Sequence, residues 1–135
     1  MEPVLRPGEF VFTTISPEVF RTLQIEPWGW FRESEGITLI VDKNAALSAN
    51  LDYVFPSRMI TLNIYSSLEA IGFLAVITKR LAEAGISVNA ISAYYHDHLF
   101  VPTDKATQAL AVLHKIMKEI DNPEPNGFSL EEQND

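Results

Sequence analysis

The 135-residue sequence contains no cysteine. This excludes a disulfide framework, a thiol nucleophile and any cysteine-ligated metal. Basic residues are few: ten Lys and Arg stand against eighteen Asp and Glu, for a formal net charge of −8. The ten are scattered, and Lys79-Arg80 is the only adjacent pair. Nucleic-acid binding and adhesion to an anionic membrane both need clustered cations, so both are excluded as partners. No window approaches eighteen apolar residues without a polar interruption, so no transmembrane helix is expected. Glu2 and Pro3 open the chain without a long apolar run, which argues against a signal peptide and for a cytoplasmic protein. No glycine-rich phosphate cradle is present. Ser66 and Ser67 lack a nucleophile-elbow context and an identifiable base, and no carboxylate pair stands out from caps and turns. The expectation is a protein with no catalytic residues and no cofactor.

What is present suffices for a packed core. Hydrophobic residues make up 47% of the chain and charged residues 21%, the balance of one globular domain or two very small ones. Residues 1–9, with Pro3, Pro7 and Gly8, read as an irregular lead-in. Glu9-Phe-Val-Phe-Thr-Thr-Ile15 reads as a strand. Ser16-Pro17 starts a short helix, with serine as cap and proline in the first turn. A strand follows at 27–32, a turn at 33–36 and a strand at 37–41. Asp42 is placed to cap a short helix to Ser48. Residues 50–57 are the only candidate linker. A weak internal repeat pairs Gly36-Ile-Thr-Leu-Ile-Val-Asp-Lys43 with His98-Leu-Phe-Val-Pro-Thr-Asp-Lys105.

The rest of the chain is organised around residues 58–120, which read as strand, helix, strand, strand, helix. Ile60, Leu62 and Ile64 alternate with polar partners, as in a sheet with one face packed on helices. Ser66-Ser-Leu-Glu69 has the form of a capping box. The helix it would open runs to Gly85, with a stripe of Leu74, Ile77, Leu81 and Ala84 and with Gly72 inside its second turn. A mid-helix glycine costs roughly 0.5–1 kcal/mol, so it points to close helix–sheet packing, to a ligand approaching there, or to a cost simply tolerated. The strand around residues 88–93 has no strongly polar face, and both sides are expected to be covered. Tyr94-Tyr-His-Asp-His98 reads as a polar turn; a metal site there would need the remote His114, and none is expected. Thr103 or Asp104 caps the last helix, whose buried stripe is Ala106, Ala109, Leu110, Leu113, Ile116, Met117 and Ile120. From Glu119 onward six acidic residues and no basic one appear, the composition of a solvated tail.

Several of these strings carry a family resemblance: Ile60-Thr-Leu-Asn-Ile-Tyr-Ser-Ser-Leu-Glu-Ala-Ile-Gly72, Leu81-Ala-Glu-Ala-Gly-Ile86, Ser92-Ala-Tyr-Tyr-His-Asp-His-Leu-Phe-Val-Pro102 and Phe31-Arg-Glu-Ser-Glu-Gly-Ile-Thr-Leu-Ile-Val41. Together they resemble small bacterial ACT-domain proteins built of two tandem ACT-like units. They are more distantly similar to the ACT modules of aspartate kinase and of a cytosolic arginine sensor. The resemblance implies an α+β, ferredoxin-like βαββαβ two-layer sandwich preceded by a degenerate second ACT-like unit. The boundaries expected are 1–57 for the degenerate unit, 58–122 for the ACT-like domain and 123–135 for an acidic flexible tail.

The same resemblance implies a non-catalytic regulatory protein that binds a small molecule, usually an amino acid, and pairs as a homodimer. Carried onto this sequence, the ligand-binding residues are Ser66, Ser67, Leu68, Glu69, Ile71, Gly72 and Phe73, with Asn89, Ala90 and Ile91 from the following strand. Ser66-Ser67 departs from the Asp or Asn that many ACT domains place there. Two other readings stand beside it: a structural protein–protein interaction module without a ligand, and a small enzyme with an interface active site.

Overall fold

The computed structural model describes residues 2–63 and 72–121. The chain divides into two compact units: an inner one, Pro7–Arg58, and an outer one, Met1–Arg6 with Met59–Asp135. The inner unit is therefore an insertion in the sequence of the outer. Each is an antiparallel sheet with helices, in the ferredoxin-like order expected.

The inner unit uses β2 (Phe10–Ile15), α1 (Pro17–Thr22), β3 (Gly29–Arg32), β4 (Ile37–Asp42), α2 (Lys43–Ser48) and the first part of β5 (Val54–Leu62). Its strand order is β3-β4-β2-β5, the first strand lying between the third and the fourth. Ser16 caps α1 as expected, its Oγ accepting from the Val19 amide at 3.2 Å. Asp42 occupies the corresponding position before α2 but makes no side-chain cap bond, which corrects the expected cap. β2 pairs with β4 from Phe10↔Asp42 to Ile15↔Ile37. This register puts Val11, Ile15, Ile37, Leu39 and Val41 on one face, where they form a core with Ala46. The expected linker at 50–57 is half strand. Ser57 pairs with Phe10 and Val54 with Phe12, so Phe55 and Pro56 both stand opposite Val11 in a bulge. Proline belongs there, because a bulge does not need its missing amide.

The outer unit begins with β1 (Pro3–Leu5), a strand where the sequence suggested an irregular lead-in. It pairs antiparallel with the second part of β5, from Pro3↔Leu62 to Leu5↔Ile60, and the Arg6 amide extends the ladder to the Met59 carbonyl at 2.8 Å. Then come α3 (Phe73–Glu83), β6 (Asn89–Ser92), β7 (Asp97–Pro102), a 3-10 turn (Thr103–Lys105) and α4 (Ala106–Asp121). The strand order is β1-β5-β7-β6. β1 thus fills the fourth-strand place that would otherwise have to follow α4. The 3-10 turn starts after Pro102, which makes no side-chain cap bond.

Helix α3 closes at Gly85, whose amide donates to the Ala82 carbonyl at 2.9 Å while Ile86 donates to Leu81 at 2.9 Å. This pairing absorbs carbonyls the last turn leaves free. Ile60, Leu62, Phe73, Ile77, Leu81, Leu99, Val101, Ala109, Leu113 and Ile116 are buried together. Each large side chain here contributes about 1.5–3 kcal/mol of apolar burial. The expected helix stripes are recovered, with Leu74, Ala84 and Leu110 at the margin; the Ile120 side chain lies outside the described part. The internal repeat is present at a different spacing. The burial patterns of β4 and β7 coincide over their first five residues, so the offset is 60 (Leu99 minus Leu39), two less than the sequence alignment gave.

Candidate functional site

Of the ten residues implicated by sequence, Ser66, Ser67, Leu68, Glu69 and Ile71 lie outside the described residues, as does the capping box that Ser66 and Glu69 would form. Gly72 is not inside the helix. It sits at the N-cap position of α3, with φ 89° and ψ −20°, and no side-chain cap bond is made there. Its carbonyl accepts the first helical bond, from the Val76 amide at 3.1 Å. The positive φ is the reason for glycine: an L-residue in this region costs about 1–2 kcal/mol. The sequence signal was therefore real but misassigned, because periodicity alone cannot separate a glycine inside a turn from one that begins it.

Phe73, the first residue of α3, is buried in the outer core beside Ile77. Its ring is occupied with packing. Asn89, Ala90 and Ile91 lie on β6, which hydrogen-bonds to β7 and ends the strand order. All four residues of β6 are exposed, against the expectation that both faces are covered. An edge strand leaves alternate backbone N–H and C=O groups unpaired. The described part of the site thus offers two kinds of polar backbone group: the first amides of an 11-residue helix and the free edge of β6. Both favour a ligand carrying hydrogen-bonding termini, and the helix end favours a negative one.

On the sheet face away from the helices, Thr61 Oγ1 and His98 Nδ1 are hydrogen-bonded at 3.0 Å. Burial holds the His98 imidazole below its ordinary value, reinforced by neighbouring His96 and Arg6 and opposed by Asp97. The rings of His96 and His98 stand 6.2 Å apart. Among the described residues no group of three His, Asp or Glu side chains converges to hold a metal. No described helix is long and apolar enough to cross a membrane.

Sequence reasoning passed over a second feature, a concavity of about 730 Å³ in the inner unit that includes Glu26, Pro27, Trp28 and Asp42. Trp28 was read only as part of a strand. The signal lay in its neighbours, since an indole directly after Glu26 and Pro27 is not a core pattern.

Two family models, each described as an ACT domain, match residues 1–58 and 54–115. Among solved structures, a Vibrio cholerae protein of unknown function, described as a possible transport protein, is 42% identical with a TM-score of 0.77; the match covers 84% of this chain and 88% of that one. The regulatory subunit of aspartate kinase from Thermus flavus is 13% identical with a TM-score of 0.68, covering 85% of this chain and 96% of that one. E. coli aspartokinase III, solved with aspartate and ADP, is 16% identical with a TM-score of 0.64, covering 84% of this chain and 32% of that one. No curated protein sequence matches.

Proposed function

This chain belongs to the ACT-domain family, and from that premise we propose that it is a non-catalytic regulatory protein whose effector is an amino acid. The effector's carboxylate meets the α3 N-terminus, where Gly72 begins the helix and no described side chain caps it. Ser66 or Ser67 adds a hydroxyl donor, and Glu69 answers the α-ammonium. Leu68 and Ile71 supply apolar contact. The backbone of Asn89, Ala90 and Ile91 binds the remaining polar groups across the open edge of β6. Phe73 contributes by fixing the start of α3 in the core. We further propose a cytoplasmic homodimer, with β6 or a helix face at the contact. The observation that carries the reading is Gly72, whose positive φ opens α3 with no side-chain cap bond among the described residues.

A second reading is a ligand-free interaction module. It is favoured by the exposure of Phe31 at 71%, Tyr94 at 79% and Tyr95 at 76%, since aromatic anchors are typical of protein interfaces.

Calorimetry against the common amino acids separates the two readings. Saturable heat from at least one supports the effector reading, and Ser67→Ala should then weaken that binding about tenfold, the loss of one hydrogen bond to a charged group. Absence of heat from all of them, with the protein folded, assigns the chain to the interaction reading. Gly72→Val is less discriminating, because β-branching at φ 89° destabilises the helix start itself.

A further inference from the structure

The concavity in the inner unit is built from the connector between α1 and β3 and the junction of β4 with α2, and includes Ile25, Glu26, Pro27, Trp28, Asp42 and Ala45. We propose that it is a binding site for an alkylammonium group, held against the Trp28 indole and neutralised by the carboxylates of Glu26 and Asp42.

Trp28 is 56% exposed, yet it is fixed in place. Its ring meets Phe10 edge-on at 5.6 Å and 90°, and its Nε1 donates to Asp42 Oδ2 at 3.4 Å. An indole held in this way is a preformed wall, and tryptophan is the best of the aromatic side chains at attracting a cation to its face. The two ionisable groups among the lining residues are both acids. Asp42 stands before α2 without bonding to it, so its carboxylate is not consumed as a helix cap. The adjacent cation, Lys43, is directed to Glu9 at 3.3 Å. Among the described residues neither Glu26 nor Asp42 has a salt-bridge partner. No basic residue lines the concavity to receive an anion, and the net charge of −8 adds long-range attraction for cations. The volume of about 730 Å³ is of the size that takes small organic ligands.

The alkylammonium could belong to a free diamine or to a lysine side chain of another protein, and the experiment distinguishes them. In a Trp30→Phe background Trp28 is the sole indole, because the chain has two tryptophans. Its fluorescence is followed while cadaverine, Nα-acetyl-lysine amide, glutarate or 1-pentanol is added at constant ionic strength. Saturation by cadaverine or the lysine derivative, with no response to glutarate or pentanol, is the expected result. The tighter of the two names the source. Glu26→Gln should weaken binding about tenfold, the loss of one charge-assisted contact; it leaves the bond between Trp28 and Asp42 in place. No saturation by either amine up to about 10 mM, weaker than specific recognition requires, overturns the proposal. So does equal response to glutarate, or an unchanged affinity in Glu26→Gln. Cadaverine has no carboxylate, so its binding is independent of an amino-acid site at the start of α3.

Discussion

Leu39 and Val41 in the inner unit, and Leu99 and Val101 in the outer, hold the same third and fifth places in their strands, and all four are fully buried. Ala46 and Ala106 repeat the correspondence at the helices that follow, at 0% and 3% exposure. Around these shared positions the units diverge. The inner helices have six residues each, the outer ones eleven and sixteen. Among the described residues the inner core joins six buried side chains and the outer thirteen. One connectivity is thus kept by a few strand positions, while the size of the buried core follows the length of the covering helices. A six-residue helix is below the length at which helices hold themselves, so the inner unit's helices depend on the strands they cover.

The sharpest way to break this comparison is to truncate the equivalent leucines. Leu99→Ala should cost about 3–4 kcal/mol and Leu39→Ala about 2–3 kcal/mol, within the usual range for buried leucine. The smaller inner cluster is better able to collapse on the cavity. Urea denaturation of both variants measures this, and a larger loss for Leu39→Ala would mean that the inner unit is the stability centre.

The comparison is sharpened next at β1, which supplies the outer unit with its fourth strand from the other side of the inserted residues. Leu5 leans on the outer core beside Ile60. Leu5→Asp should destabilise by about 2 kcal/mol, through lost apolar contact and a charge forced toward that core. Amide hydrogen exchange should rise at Ile60 and Leu62 and stay unchanged at Leu39 and Val41. Exchange rising equally in both sets would show that β1 does not belong to the outer unit alone.

Legibility in the sequence follows the same division between local and long-range signals. The strands β2 and β4, the Ser16-Pro17 start of α1 and the long stripe of α4 rest on local signals, and all were readable in place. β1 was not readable, because three residues that begin with a proline carry no period; only pairing with β5 makes them a strand. The bulge at Phe55-Pro56 was read as a linker for the same reason, since proline in a strand is tolerated only where the partner strand is fixed. At the site, Gly72 announced itself through its residue type. Its place at the start of α3 was set by a positive φ, which composition cannot show. Trp28 and Asp42 are separated by fourteen residues and meet only because β3 folds back beside β4.

The smallest expected effect concerns a pair of equivalent positions that differ in chemistry, Thr38 in β4 and His98 in β7, each second in its strand. Thr38 bonds its hydroxyl to Glu33 in the preceding turn and cannot titrate in the physiological range. His98 is hydrogen-bonded to Thr61 and its imidazole is held below the ordinary value of 6.5, first by burial. A depressed histidine pKa means that the unfolded chain takes up the proton more readily than the folded one. Stability from this group is therefore present above the unfolded value and declines as the pH falls from about 6.5 toward the lower folded value, with no further loss below it. The residue is only partly buried, so solvent screening keeps the effect small. Thermal denaturation between pH 7 and pH 5 should show the wild type losing stability slightly faster than His98→Gln, which keeps a hydrogen-bonding group toward Thr61 without a titration. Parallel profiles for the two proteins would mean that His98 is protonated as easily in the fold as outside it.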